Sequence, residues 1–458
     1  MMKKKILAAA ALAGAGALLA GCGSSASVMS IDPESTLAII ELANIDMSSV
    51  DDVSEEYKLL VVSQDGSTQV VEAKDKGAFL IDWAEDSLFI ADSQSDTWLQ
   101  AGKEPLVHDD PRDMSRAFSI VGLDDKGSVL ISSHEGEGDE VAYSVVNKEG
   151  VEKATSKEFI YSFGTCGEAT YGLSVNEDYM NQNIDDADFE SMSEEEIEKE
   201  FSSVTYDSRA EMNLFAVVKG GKVDISRVGQ HSAIMDGVML LGPSLACEGE
   251  ELVGLVLQNE VDGGLYNRTK EAGESVDFNV EDYKVGSDEW GYNVLTLERW
   301  NVNTGERTVV PVTGEDGKPF VKAPQLVMSA SMGASSVHDG TLYWVDALGR
   351  LVATDVQTGK SKALSDSLQT SSNMDELGQI FASFHEGNVS VLVHSDADPS
   401  KDRIVSLEIP SGKEIVSVDV PNLGGLVEAI DMSDENAMSS MTSMTSISAL
   451  YANPHPKG

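Results

Sequence analysis

Hydrophobic residues fall in short runs along this chain, and turn-forming residues separate them. The stretch GTLYWVDALGRLVATDVQTGKSKAL, Gly340 to Leu364, shows the pattern. Leu342 to Val345 is too short for a helix. Gly349 marks a turn. Leu351, Ala353 and Asp355 then alternate with Val352, Thr354 and Val356, the period of a strand. Gln357 to Lys360 form the next turn, where Gly359 can take positive φ without steric cost.

The phrase recurs. LERWNVNTGERTVVPV places a turn at Asn301 to Glu306, and IVSLEIPSGKEIVSVDV places one at Glu408 to Lys413. The three turns begin at 301, 355 and 408, spacings of 54 and 53 residues. Self-similarity of this kind marks a repeat fold. One period holds about four strand-like runs, for example Gly378 to Ser383, Val389 to His394, Arg403 to Ile409 and Glu414 to Val418. Four short antiparallel strands make one propeller blade. Weaker copies lie upstream, with turns at Asp65-Gly66, Asn147 to Gly150 and Gly220-Gly221, and strand runs within Phe79 to Asp92. The expected fold is all-β, a β-propeller of about six to seven four-stranded blades.

Two stretches break the pattern. Residues 178–209 read as an acidic insertion containing a short helix, with Ser193 and Glu196 as its capping box. Residues 432–458 form a tail rich in Ser and Met. Its part from Ser443 to Tyr451 reads as a last strand that pairs with the N-terminal strands and removes an exposed edge.

The N-terminus changes the picture from fold to address. Lys3, Lys4 and Lys5 precede the apolar run Ile6 to Leu19, 14 residues long. A membrane span needs roughly 20 apolar residues, so this run reads as a secretory leader. It ends in Leu19-Ala20-Gly21-Cys22, which resembles the lipobox of bacterial lipoproteins. The resemblance implies cleavage before Cys22 and lipid attachment to its sulfur. The expected organisation is a signal peptide over 1–21, a lipidated Cys22 and flexible tether over 22–50, and a single propeller domain over 51–458. The expected location is extracytoplasmic, with Cys22 anchored in a lipid bilayer.

The formal net charge is −46. Such a surface repels polyanions and argues against nucleic-acid binding. Cys166 and Cys247 remain once Cys22 carries lipid. Their separation neither requires nor forbids a disulfide, which an oxidising compartment would permit.

Candidate chemistry is sparse. Gly359-Lys360-Ser361 matches the end of the phosphate-binding G-x-x-x-x-G-K-[ST] loop. Thr354 stands where its first glycine belongs, and SKALSDS is too short and polar for the helix that should follow. No nucleotide is expected. GPSLA around Ser244 lacks the second glycine of a hydrolase elbow. The seven histidines are scattered. The oxygen-rich clusters are Asp185, Asp186, Asp188 and Glu190, and separately Asp396, Asp398 and Asp402. The first is the candidate for a divalent cation such as calcium. No other cofactor is expected.

The turn phrase Ala353-Thr354-Asp355-Val356-Gln357-Thr358-Gly359-Lys360 resembles the repeat of pyrroloquinoline-quinone-type propellers, over roughly Asn293 to Val420. The resemblance implies a fold. Tryptophans at 83, 98, 290, 300 and 344 do not recur at one offset, so it implies no quinone. Propeller lipoproteins that act as envelope scaffolds are the nearer comparison. The expected function is a non-catalytic binding or scaffold module whose partner is an envelope protein or extracellular ligand. Alternatives are a propeller hydrolase or lyase acting on glycans, and a solute-binding lipoprotein of a transporter.

Overall fold

The computed structural model describes residues 28–46, 54–72, 78–84, 87–111, 117–124, 127–134, 140–177, 210–235, 237–241, 245–260, 276–287, 291–321, 335–369, 380–385, 387–394, 401–421, 423–427 and 443–456. These residues form antiparallel sheets and three short 3-10 helices, Val28–Ser30, Val280–Asp282 and Leu423–Gly425. Among the described residues there are seven sheets, numbered I to VII here.

Sheet I joins Thr36–Asp46, Ser54–Ser63 and Thr68–Glu72 to Ser443–Ala452. Sheet II runs through Leu80–Ala84, Ser87–Ala91, Ser95–Gln100 and Leu106–Asp109. Sheet III runs through Ala117–Gly122, Val129–His134, Val141–Asn147 and Gly150–Ser156. Sheet IV holds Ser162–Cys166, Ala169–Glu177, Ala210–Lys219 and Lys222–Ser232. Sheet VI holds Ser336–His338, Thr341–Val345, Leu351–Asp355 and Ser361–Ala363. Sheet VII holds Ile380–His385, Asn388–Val393, Arg403–Glu408 and Glu414–Asp419. Sheet V has two long middle strands, Glu251–Glu260 and Gly291–Asn301. Each of its edges is broken in two: Gly237–Leu240 and Ala246–Glu248 on one side, Val285–Ser287 and Arg307–Pro311 on the other.

The core lies between sheets. One cluster joins Ile39 and Leu59 of sheet I to Ile81 and Leu88 of sheet II. Others join Phe89 of sheet II to Ile131 of sheet III, Tyr143 of III to Phe215 of IV, and Leu214 of IV to Val256 of V. Leu255 of V meets Trp344 of VI, and Val345 of VI meets Val391 of VII. The last cluster returns from Leu392 and Ile404 of VII to Leu37 and Leu450 of sheet I. Each sheet therefore packs both faces, in chain order, and the seventh meets the first. The arrangement is propeller-like.

This packing explains the hydrophobic pattern. Middle strands are covered on both faces, so Asn388–Val393 and Ser87–Ala91 are buried throughout. Each buried Val, Leu or Ile contributes about 1.5–3 kcal/mol. Edge strands such as Glu414–Asp419 and Lys222–Ser232 face solvent and carry the alternation and the charges.

The repeated turns share one geometry. Gly305, Gly359 and Gly412 have φ of 73°, 69° and 71°. Their N–H groups donate to Asn301, Asp355 and Glu408 O at 2.8, 2.9 and 2.8 Å. Each glycine also presses on the preceding sheet, where a Cβ would meet the Val228 carbonyl, the Pro311 carbonyl or the Leu364 carbonyl. Glycine is thus required twice, by its left-handed backbone and by the neighbour's close approach. Asp355 Oδ1 accepts from Gln357 N, Thr358 N and Thr358 Oγ1 at 3.1, 2.8 and 2.7 Å, so the GKS stretch is a hairpin turn. Thr313 N donates to Gly359 O and Ser361 N to Thr313 O, which ties this turn to sheet V.

Residues 36–46, placed in the tether by the sequence reading, form a middle strand of sheet I. Leu37 to Leu42 are all buried, and Thr36–Asp46 pairs with both Ser54–Ser63 and Ser443–Ala452. A run this apolar gains more from pairing inside a sheet than from exposure as a linker. The expected last strand from Ser443 does pair with the N-terminal strands. The acidic insertion at 178–209 lies outside the described residues.

Candidate functional site

The site with unusual chemistry lies where the two ends of the chain meet. Glu41 sits mid-strand in Thr36–Asp46, opposite Leu59 on one side and Ala449 on the other. The register slips at this point: Glu41 pairs with Ala449 and Leu42 with Ile447, leaving Ser448 as an extra residue. Such a bulge re-aims side chains locally. The Ser448 hydroxyl reaches the Glu41 carboxyl from this bulge. Glu41 Oε1 also accepts from Phe79 N of the sheet II entry at 2.9 Å, and Tyr451 Oη lies 3.5 Å from Oε2.

Glu41 is 3% exposed. Burial pushes its carboxyl up to about 7, against the pull of the Phe79, Ser448 and Tyr451 hydrogen bonds. Asp82, in the first strand of sheet II, is likewise pushed up to about 7 by burial, opposed by the Trp83 N–H. It keeps partial exposure and packs against Gly122 of sheet III, where a Cβ would sit 2.5 Å from Asp82 Oδ2. Tyr451 is held well above the ordinary phenol range by burial first and then by Glu41, Asp82 and Tyr57. Two sheets therefore bring two carboxyls and a phenol together: Glu41 and Tyr451 from sheet I, Asp82 from sheet II. The titratable neighbours acting on Tyr451 are all acids.

The opposite flank of Ser443–Ala452 is neutral. His385 Nε2 lies 2.7 Å from Ala452 O, and burial pulls its ring down to about 4. Ala452 N donates to Ser383 Oγ at 3.1 Å. Beyond the strand, Asn453 Nδ2 donates to Pro33 O and Thr36 O at 3.0 and 2.8 Å.

A second buried carboxylate shows what Glu41 lacks. Glu298 of sheet V is fully buried and faces Arg307, which donates from Nη2 and Nε at 2.7 and 2.8 Å. Gln258 and Trp300 also donate to it, at 2.8 and 3.3 Å, and Arg307 Nη1 donates to Ser232 O at 2.8 Å. That charge is paired and hydrogen-bonded, as burial demands. Among the described residues no cation acts on Glu41, so burial raises its carboxyl and favours the protonated form.

The sequence candidates fall elsewhere. Cys166 and Cys247 form a disulfide between sheets IV and V, with Cα atoms 5.5 Å apart. Cys22, Asp185, Asp186, Asp188, Glu190, Asp396, Asp398 and Ser244 lie outside the described residues. Asp402 is buried, 3.1 Å from His394 Nδ1. Among the described residues no three His, Cys, Asp or Glu side chains are placed to hold a metal ion. Lys360 is exposed in its turn.

Sequence reasoning missed Glu41 and Asp82. Each is a lone acid inside an apolar run, IIELA and LIDWA. In a middle strand covered on both faces an acid such as Glu41 cannot turn to solvent, and that is the signal available; Asp82, in an edge strand, keeps partial exposure.

No family model matches the chain, and no curated protein matches it. Solved structures resemble it at low identity. A mutant of Synechocystis apocarotenoid oxygenase aligns with TM-score 0.44 and 10% identity, over 85% of this chain and 90% of that one. The β-propeller domain of the Trilobed protease from Pyrococcus furiosus aligns with TM-score 0.39 and 10% identity, over 84% and 98%. A puromycin hydrolase mutant aligns with TM-score 0.43 and 12% identity, over 86% of this chain and 56% of that one. Likeness of this degree carries no inference about activity.

Proposed function

We propose that this chain is a lipid-anchored, extracytoplasmic protein whose seven sheets form a closed propeller serving as a binding or scaffold module of the cell envelope. The observation that carries the reading is the Cys166–Cys247 disulfide across sheets IV and V. Disulfides persist in oxidising compartments, which agrees with the leader and with Leu19-Ala20-Gly21-Cys22 ahead of the tether. The seven shared cores, with sheet VII packed on sheet I, support ring closure.

The binding role rests on how the polar groups are placed. Glu41 and Glu298 carry out their bonding inside the sheets, at 3% and 0% exposure, where no glycan could touch them. Glycosidic chemistry needs two carboxyls flanking a bound sugar. The described strands, without the alternating helices of a two-lobed solute-binding protein, argue against a transporter receptor. The open loop ends of the sheets are then the surface for a partner.

Metabolic labelling with a lipid precursor, in wild type and Cys22→Ser, tests the anchor. Label is expected only in the wild type, and equal label in both would refute it. Turnover of a polysaccharide by the purified ectodomain would sink the non-catalytic reading.

A further inference from the structure

We propose that Glu41, Tyr451 and Asp82 form a proton-operated lock on the closing strand Ser443–Ala452: the strand is seated while Glu41 keeps its proton and loosens when that proton leaves. The inference is independent of the anchor and of any partner.

The geometry carries it. Ser443–Ala452 is held to the rest of the molecule by one neighbouring strand, Thr36–Asp46, and by packing on sheets II and VII. Its bulge at Ser448 faces Glu41, which also bonds Phe79 N of sheet II and lies beside Tyr451 of the closing strand itself. Ionisation would place a negative charge at this three-way contact. The groups bonded to it are Tyr451 and the uncharged Ser448 and Phe79 N–H, and the titratable groups that act on Tyr451 besides Glu41, Asp82 and Tyr57, are acids as well. A buried charge without a cation is costly, and releasing the strand lets water reach it.

The direction in pH follows. Glu41 rises from an ordinary 4.5 to about 7 in the folded protein, and Asp82 from 3.8 to about 7. The stabilisation they give is fully present below their ordinary values and is lost as pH rises through about 7. His385, on the other flank, falls from 6.5 to about 4. Its contribution is present above 6.5 and is lost as pH falls through about 4, so it does not weaken the seam on the alkaline side. Between about 4.5 and 6.5 the two trends oppose each other, and with two acids against one histidine the seam weakens as pH rises towards about 7. Among the described residues His455 also acts on this flank, through His385.

Hydrogen exchange on the full chain, corrected for intrinsic rates, tests the lock. Peptides covering Ser443–Ala452 are compared with peptides covering Leu351–Asp355. Relative protection of the closing strand is expected to fall by at least tenfold between pH 6 and pH 8, about tenfold from the Glu41 proton with a midpoint near 7 and the rest from Asp82. Glu41→Gln should remove that tenfold part, and His455→Gln should leave it in place. Ser448→Ala, at an exposed bulge, removes a hydrogen bond that favours the carboxylate and should move the midpoint to higher pH. It remains informative if Glu41→Gln does not fold. Equal pH profiles for the two peptide sets, an undiminished change in Glu41→Gln, or an unmoved midpoint in Ser448→Ala would each overturn the proposal.

Discussion

Sheets V to VII and sheet I are held by different means. In sheets VI and VII each strand pairs with the next in the chain, and the Gly305, Gly359 and Gly412 turns dock sheets V, VI and VII each on its predecessor. Sheet I takes three strands from one end of the chain and one from the other, so Thr36 to Asp46 meet residues some four hundred positions away. Its turn at Asp65-Gly66 does touch Val418 of sheet VII. Its closing strand, however, depends on long-range pairing and a protonated acid. Local turns give stability wherever the phrase is repeated, whereas closure concentrates it at one seam. Long-range pairing is also the last loop entropy to be met in folding.

The sharpest way to break this contrast is to remove the closing strand. A chain ending at Thr442 loses buried Ile447, Leu450 and Ala452 and leaves Thr36–Asp46 unpaired on one edge. Two such large side chains alone are worth about 3–6 kcal/mol, comparable to the stability of a domain. Loss of a cooperative thermal transition is expected. Retention of the wild-type melting temperature would show that closure contributes little.

Next comes the covalent staple between sheets IV and V. Cys166→Ser with Cys247→Ser opens a loop whose ends are 81 residues apart. A cost of about 4 kcal/mol is expected from the lost restriction of the unfolded chain. Denaturant titration should show the same loss when wild type is reduced, and reduction should not affect the double variant.

The turns should respond one at a time and by less. Gly359→Ala must hold φ of 69° and push its Cβ into the Pro311 carbonyl. About 2–4 kcal/mol of destabilisation is expected from the left-handed backbone and the overpacking together. Gly221→Ala shares a positive φ, 74°, but its Cβ meets open space, so about 1 kcal/mol is expected. Equal costs in chemical denaturation would refute the docking role of Gly359.

Asp355→Ala is the smallest change. It removes acceptor bonds to Thr358 and Gln357 in an exposed turn, worth about 1 kcal/mol. The Thr358 hydroxyl and N–H and the Gln357 N–H hold the Asp355 carboxyl below its ordinary 3.8. The contribution is therefore present above 3.8 and lost as pH falls further, and acid titration of the variant's stability should lack that step.

Much of the architecture is legible in the residues. Runs such as VSVLV and SLFIA mark strands covered on both faces, and the turns Thr304-Gly305-Glu306, Thr358-Gly359-Lys360 and Ser411-Gly412-Lys413, at a near-constant spacing, count the later sheets. The same phrase disposes of a phosphate loop at Gly359-Lys360-Ser361. The earlier sheets lack the phrase, and sheet V breaks both edges, so the number seven is not readable from spacing. Cys166 and Cys247 show their types in the sequence but not their partnership, because only the packing of sheet IV on sheet V sets their Cα atoms 5.5 Å apart.

Local chemistry decides what local chemistry can reach. Side-chain period and turn glycines are set by neighbours in the chain, and the sequence alone determined them. Which acids lose their water is decided by what folds over them. Glu41 lies between Ile40 and Leu42, and Glu298 between Leu297 and Arg299, both in long middle strands. Arg307 reaches one of them across an adjacent strand, while Phe79, Ser448 and Tyr451 surround the other without a positive charge. Pairing and desolvation are tertiary quantities, so only the assembled sheets made one a structural ion pair and the other a proton-holding seam.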